Sequence, residues 1–299
     1  MYITNIVRPT KLPSVLLGLF FLTIITLPVA AVDLPFDPND FSFLVYVPQG
    51  TEDSIVQAMT NILGTAFNPN TDVRTSYQGE HVTMEDLVAY DILIVGWNSY
   101  GYTSGLNDEI LAAGITGRVI LTGHDADFHT VHGPYAAEVF LVQAIDWVLK
   151  GSGTGLITLG CTSAFPYLPE VWDVNVTYFS DGQDVNEFTE DGLASGVYDG
   201  LDTGSMSNWG QSYHDIFTIE QSPFFVPFEI GGESGSDIIT IASYKTKLPY
   251  FSIHKDVNDT NCVSPLISQA EHELLGTSYN WLYYNIDCNA NGFADTMFS

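Results

Sequence analysis

Apolar residues gather in short continuous runs along the middle of the chain, and these runs alternate with longer stretches whose apolar positions recur at helical spacing. "FSFLVYV", "DILIVGW", "RVILTG" and "GLITLG" are runs of the first kind, and "DVRTSYQ" adds a weaker one. Continuous rather than alternating apolarity marks strands buried on both faces, as in a parallel sheet covered by helices. Between them, "TEDSIVQAMTNIL", "TMEDLVAY", "LNDEILAAGITG" and "PYAAEVFLVQAIDWVLKG" keep the helical period, with Thr83 placed to cap the second and a glycine closing the third. Strands joined by helical crossovers predict an α/β fold: a doubly wound, mostly parallel sheet flanked by helices.

From residue 163 to 210 the periodicity gives way to sequence rich in Gly, Asp and aromatic residues, which predicts a long surface insertion with one hairpin. "FFVPFEI", "DIITIASY" and "LPYFSIH" then read as strands, and "SPLISQAEHELLGTSYNWLYYNI" as a closing helix on the sheet. A single domain over residues 41–286 follows, large enough for a substantial core.

The first 31 residues stand apart from this pattern. Arg8 and Lys11 precede an apolar core that ends in Val29, Ala30 and Ala31, the layout of a secretory signal peptide cleaved after Ala31, with residues 32–40 as a linker. The alternative is a retained anchor, since the apolar run from Leu12 to Val32 is nearly long enough to span a bilayer. Membrane association is expected through this segment alone, and the remainder is expected to be secreted, periplasmic or at the cell surface.

Charge narrows the partners. Eight basic residues against 36 acidic ones give a net charge of −28, so nucleic acid is excluded, because phosphate binding needs a basic face. The same imbalance suits a saline or calcium-bearing medium, and equally well suits simple solubility. Cys161, Cys262 and Cys288 allow at most one internal disulfide. Cys262 and Cys288 flank the predicted closing helix and are the better pair, which leaves Cys161 as a small buried apolar residue.

The order of elements, the polar turn after "RVIL", the helix ending "AIDWVLKG" and the later "SNWGQSYHDIF" together resemble the class I glutamine amidotransferase-like fold. The likeness is to its trehalose-utilisation-type and exported branches, over nearly all of residues 41–286. It implies a flavodoxin-like sheet with a ligand crevice at the strand ends, and a cysteine nucleophile on a tight strand-to-helix elbow. Here the matching turn runs Thr122, Gly123, His124, Asp125, Ala126, Asp127, without a cysteine. The family's partner histidine falls at His214 and lacks the glutamate expected two positions on. Both departures argue against amidotransfer and against Cys-dependent hydrolysis, and Cys161 ends a different strand.

What stands at the elbow is polar. The stretch "TGHDADFHTVHG", residues 122–133, follows a strand directly, so His124, Asp125 and Asp127 face the usual crevice of an open α/β sheet. With His129, His132 and His214 they supply donors for a zinc-like site, but on an irregular loop that lacks a helical pair of imidazoles. The stretch has three readings: a polar ligand pocket, a transition-metal site, or capping of a helix that begins near Gly133. Two functions correspond to these. One is an exported, non-catalytic module binding a small polar ligand or extracellular component through His124, Asp125, Asp127, Trp209 and His214, with Trp209 as an apolar wall. The other is a hydrolase using Asp125 as nucleophile or His124 and His214 as acid and base, with or without a metal.

The C-terminal "DCNANGFADT" resembles the calcium loops of dockerin and thrombospondin type 3 repeats. Asp287, Asn289, Asn291, the Phe293 carbonyl and Asp295 supply oxygens at the spacing of such loops, with Gly292 at the sharp turn. Phe298 stands where an acidic twelfth residue is expected, so residues 287–299 form an incomplete loop that predicts weak calcium binding.

Overall fold

Five of the apolar runs form one parallel sheet: β1 (Phe43–Val47), β2 (Val73–Thr75), β3 (Ile92–Val95), β4 (Val119–Thr122) and β5 (Gly155–Thr158), in the order β2-β1-β3-β5-β4. The computed structural model describes residues 33–50, 52–97, 104–160, 168–183, 185–219, 222, 224–232, 235–243, 266–274, 277–286 and 296–298, the last three segments as backbone strands. The strands are joined by α1 (Ser54–Leu63), α2 (Met84–Ala89), α3 (Asp108–Gly114), α4 (Ala126–His132) and α5 (Tyr135–Leu149). Local chemistry sets where the short helices begin. Thr83 accepts from the Asp86 backbone and Asp86 from that of Thr83, a reciprocal cap, while the Asn107 side chain accepts from Ile110.

The continuous apolarity of the strands is explained by two cores. Phe43, Val45, Val47, Ile92, Ile94, Ile120 and Ile157 face α1 and α5, whose Val56, Met59, Phe140 and Leu141 fill that layer. Leu44, Tyr46, Leu93, Val95, Val119, Leu121 and Leu156 face the other way, onto Leu87 of α2 and Leu111 of α3. Alternate residues serve opposite cores, so neither face of a strand tolerates charge.

An antiparallel half extends the sheet. β10 (Asp237–Ser243) pairs with β4 in the register Thr240↔Thr122, and β8 (Tyr213–Thr218) pairs with β6 (Asn175–Gln183). β9 (Val226–Gly231) runs along one edge of β10 from Asp237 to Ala242 and also pairs with β7 (Asn186–Phe188). β4 and β8 therefore share the other edge of β10, β4 at Thr240–Ser243 and β8 at Ile238. Where β4 runs out, His124 bridges to Tyr213 at the start of β8.

Two predicted elements need correction. The expected surface insertion over residues 163–210 supplies β6 and β7 to this sheet, along with α6 (Glu190–Ser195) and α7 (Thr203–Met206). Strands at the margin of a sheet stay partly solvated and so carry polar residues, which hides them from a search for apolar runs. The expected closing helix is instead two antiparallel strands, β11 (Leu266–Leu274) and β12 (Thr277–Ile286), with β13 (Thr296–Phe298) paired to β12. The Thr, Tyr, Trp and Ile residues of "TSYNWLYYNI" favour an extended backbone, and that preference overrides the helical spacing.

The strand predicted at "LPYFSIH", the segment 1–31, the three cysteines and the calcium-loop residues 287–295 lie outside the described residues. Among the described residues no helix is long and apolar enough to cross a membrane.

Candidate functional site

The elbow after β4 is pinned from several directions. Gly123 N donates to Ile239 O at 2.8 Å, His214 N donates to Gly123 O at 2.8 Å, and Gly160 N donates to His124 O at 2.6 Å. A Cβ on Gly123 would collide with the Asp215 backbone, so glycine is what lets β8 approach this closely. Residues 126–132 then form α4, rather than the irregular loop expected. Asp125 stands at its N-cap, and Gly133, at φ +85°, ends it.

The helix gives the elbow a regular spacing after all, but it pairs a carboxylate with an imidazole. His129 Nε2 lies 3.3 Å from Asp125 Oδ1, one turn on. The expected capping near Gly133 is also different. No side chain caps α5, whereas His129 Nδ1 donates to Gly133 O at 3.1 Å and His132 Nδ1 donates to Phe128 O at 2.9 Å, so both imidazoles serve the C-terminal carbonyls of α4.

From the opposite strand, His214 Nε2 reaches to 3.5 Å of Asp125 Oδ2. Burial acts to raise the Asp125 pKa, but the two imidazoles outweigh it and hold the carboxyl below its usual range. For His129 burial acts to lower the pKa, and the Asp125 carboxylate overcomes this and raises it. Asp127, 1% exposed, has a different environment. Its Oδ2 accepts from Trp97 N at 3.3 Å, while burial and the neighbouring Asp125 charge push its pKa well above the ordinary value.

Several buried polar atoms around this carboxylate pair have no hydrogen-bond partner among the described residues: Oδ1 of Asp127, Nδ1 of His214 and Nε1 of Trp97. Oδ1 of Asp125 joins them, since its contact with His129 is at ion-pair distance without hydrogen-bond alignment. Each such atom, left unmade, costs about 1–3 kcal/mol.

His124 belongs to a second network beneath the elbow. It is fully buried, with Nδ1 2.6 Å from Ser212 O and Nε2 2.8 Å from Glu229 Oε2. Burial acts to lower its pKa, and the Glu229 carboxylate prevails and raises it, so both ring nitrogens donate. Glu229 Oε2 also receives Tyr198 OH at 3.0 Å and Thr240 Oγ1 at 3.2 Å. Thr240 Oγ1 in turn lies 2.8 Å from Thr122 Oγ1, a contact that follows from the β4–β10 register. Burial and the Glu229 charge push the Tyr198 pKa well up.

Trp209 lies between the two networks, its ring centroid 5.1 Å from that of His124 and 5.3 Å from that of His129. The structure therefore gathers Asp125, Asp127, His129 and His214 at the strand end, with Trp209 behind them and His124 in the core. His132 stacks on Phe128 instead. Among the described residues no group of three or more His, Cys, Asp or Glu side chains is arranged to hold a metal ion.

Trp97, Tyr198 and Glu229 are not among the residues that the sequence singles out. Only Glu229 carried a signal, as the single charge inside the apolar strand "FFVPFEI". Comparisons with protein-family models, with curated proteins and with solved structures found no match to this chain.

Proposed function

We propose that the protein is a binding module for a small polar ligand, held at the carboxyl ends of β3 and β4 by Asp125, Asp127, His214 and Trp97. The observation that carries this reading is the gathering of unpartnered buried polar atoms around one carboxylate pair. Such atoms also occur elsewhere among the described residues, at Arg118, Thr158, Asn186 and Glu229, but four belong to the elbow and the residues around it, and a ligand with donors and acceptors at the strand ends would satisfy them. The position agrees with the general rule for open α/β sheets, since the strand order reverses beside β1 and β3 and Asp127 bonds the backbone just after β3. The charged-then-apolar N-terminus supports export, and the acidic excess supports a partner other than nucleic acid.

The test is a thermal-shift panel of polyols, amides, alkylammonium salts and short carboxylates against the wild type and Asp125→Asn. One class should raise the wild-type Tm and lose that effect in the variant. A panel that moves neither protein, or both equally, contradicts the reading.

A hydrolase is the second reading, favoured by the opposite pKa shifts of Asp125 and Asp127, which suit a carboxylate nucleophile beside a carboxylic acid. His214 lies close enough to Asp125 to complete that arrangement. Turnover of para-nitrophenyl acetate, phosphate or glycosides that disappears in both Asp125→Asn and Asp127→Asn would establish it. Absence of turnover in the wild type on all of them counts against it.

A further inference from the structure

Two asparagines of the chain stand in the N-x-T pattern with a residue other than proline between: Asn175 with Val176 and Thr177, and Asn258 with Asp259 and Thr260, the second set outside the described residues. In a chain that crosses a secretory membrane, this pattern is the acceptor for an N-linked glycan. The transferase takes the asparagine amide and requires the hydroxyl two residues on. Three letters are not by themselves a site. The acceptor must also end in solvent once the chain has folded, since a glycan is too bulky and too polar for a core.

Asn175 meets that condition. It opens β6, two residues after the turn at Asp173, whose φ of 51° is left-handed. Alternation sorts the side chains here: Val174 and Val176 pack against the second core, while Asn175 and Thr177 are exposed. Both members of the pattern therefore share the solvent face. β6 is the last strand in the order of the sheet, and among the described residues it pairs with β8 alone. Residues 175–178 run in regular register with residues 215–218 and contain no charge, proline or bulge to deter pairing with another chain. A bulky hydrophilic group at this margin would supply that guard.

We infer that Asn175 of the exported chain carries an N-linked glycan. The inference rests on export, which the layout of residues 1–31 supports, and stands apart from the ligand proposed at the Asp125 cluster. In the transfer, Asn175 Nδ2 bonds to the anomeric carbon of a lipid-linked oligosaccharide, and the bond from that carbon to the phosphate oxygen breaks. The lipid phosphate leaves with the electron pair, one Nδ2 proton passes to a base of the transferase, and nothing is oxidised or reduced. Asn175 pairs with Thr218, four residues along β8 from His214 and so about 13 Å along the strand. The glycan thus shields the sheet margin and leaves the Asp125 cluster open.

Peptide mass spectrometry of the protein recovered from outside the cells that naturally encode it tests this. Cleavage after Glu170 and Glu187 releases residues 171–187, which hold this N-x-T and no other. Electron-transfer fragmentation, which keeps a glycan attached, should place a sugar mass on Asn175. Thr177→Ala should lose that mass and Thr177→Ser should keep it, a split that a structural role of Thr177 would not produce. Asn175→Gln should respond to the thermal-shift panel as the wild type does. A secreted chain whose 171–187 peptide has only its unmodified mass, or carries sugar on Thr177 in place of Asn175, overturns the inference and leaves the binding module standing. An unmodified chain held inside the cell overturns it together with export.

Discussion

His214 Nε2 lies 3.5 Å from Asp125 Oδ2, although one residue belongs to an antiparallel strand and the other to the turn that ends a parallel one. The contact exists because β4 and β8 share an edge of β10, and because Gly123 lets the Asp215 backbone pass close to it. The junction between the two halves of the sheet is thus also where its carboxylates and imidazoles meet.

The Asp125–His129 pair makes stability pH-dependent in a defined window. The depressed Asp125 pKa contributes above its ordinary value of about 3.9 and is lost as pH falls through the folded value; the raised His129 pKa contributes below about 6.5 and is lost as pH rises through its folded value. Asp125→Asn should therefore lower Tm most between about pH 4 and 6.5, and less near pH 9. Melts followed by circular dichroism across that range check this, and an equal loss at both ends contradicts the pairing.

Asp127 has the opposite sign. Its raised pKa means that the folded state holds a proton the unfolded chain gives up, so stability falls as pH rises above about 3.9 toward the folded value. Asp127→Asn removes that penalty, so its effect on stability should be more favourable near pH 8 than near pH 4. Urea unfolding at the two pH values reads the difference. A variant weaker than wild type near pH 8 would show that the carboxyl is held by contacts an amide cannot make.

The buried His124–Glu229 pair should behave as a unit. Glu229→Leu alone leaves a buried imidazolium without its partner, at a cost of about 3–5 kcal/mol, and deprives Tyr198 and Thr240 of their acceptor. The double variant His124→Leu, Glu229→Leu should recover much of that loss, because a well-packed apolar pair of similar volume often equals a buried ion pair. Chemical denaturation of the single and double variants decides this, and additive losses contradict it.

Calcium binding at the tail remains a proposal resting on the spacing of Asp287, Asn289, Asn291, Phe293 and Asp295. With no acidic group at Phe298, affinity should fall at the weak extracellular end, about 0.1–1 mM. Calorimetry of the wild type against the double variant Asp287→Ala, Asp295→Ala should show heat only from the first. Equal heats would show that the segment does not bind the ion.

The parallel half of the fold was legible because its strands bury both faces, which leaves a continuous apolar signature in segments such as "RVIL". β6 and β8 were not, since strands near the margin alternate or turn polar. The pattern of β8 reads as a loop until its pairing with β6 and β10 is known. At the site, the elbow itself was visible as polar residues directly after a strand, and so was the candidacy of His214. The helical nature of residues 126–132, which creates the Asp125–His129 spacing, was obscured by a composition typical of loops. The division of His124 from Asp125, one in the core and one at the strand end, could not be read from adjacent letters, because it depends on Glu229 arriving from β9.

Occupation of the Asp125 cluster by a polar ligand is read most directly by histidine-selective NMR. Ring-nitrogen resonances of His129 and His214 should move in a saturable way when the compound most effective in the thermal-shift panel is added, because both imidazoles lie against Asp125. His81, exposed on the approach to α2, is the internal reference and should stay still. Movement of His129 and His214 alone is the predicted result. Saturable binding that leaves both unmoved, or shifts His81 equally, would contradict the assignment of this cluster as the binding site.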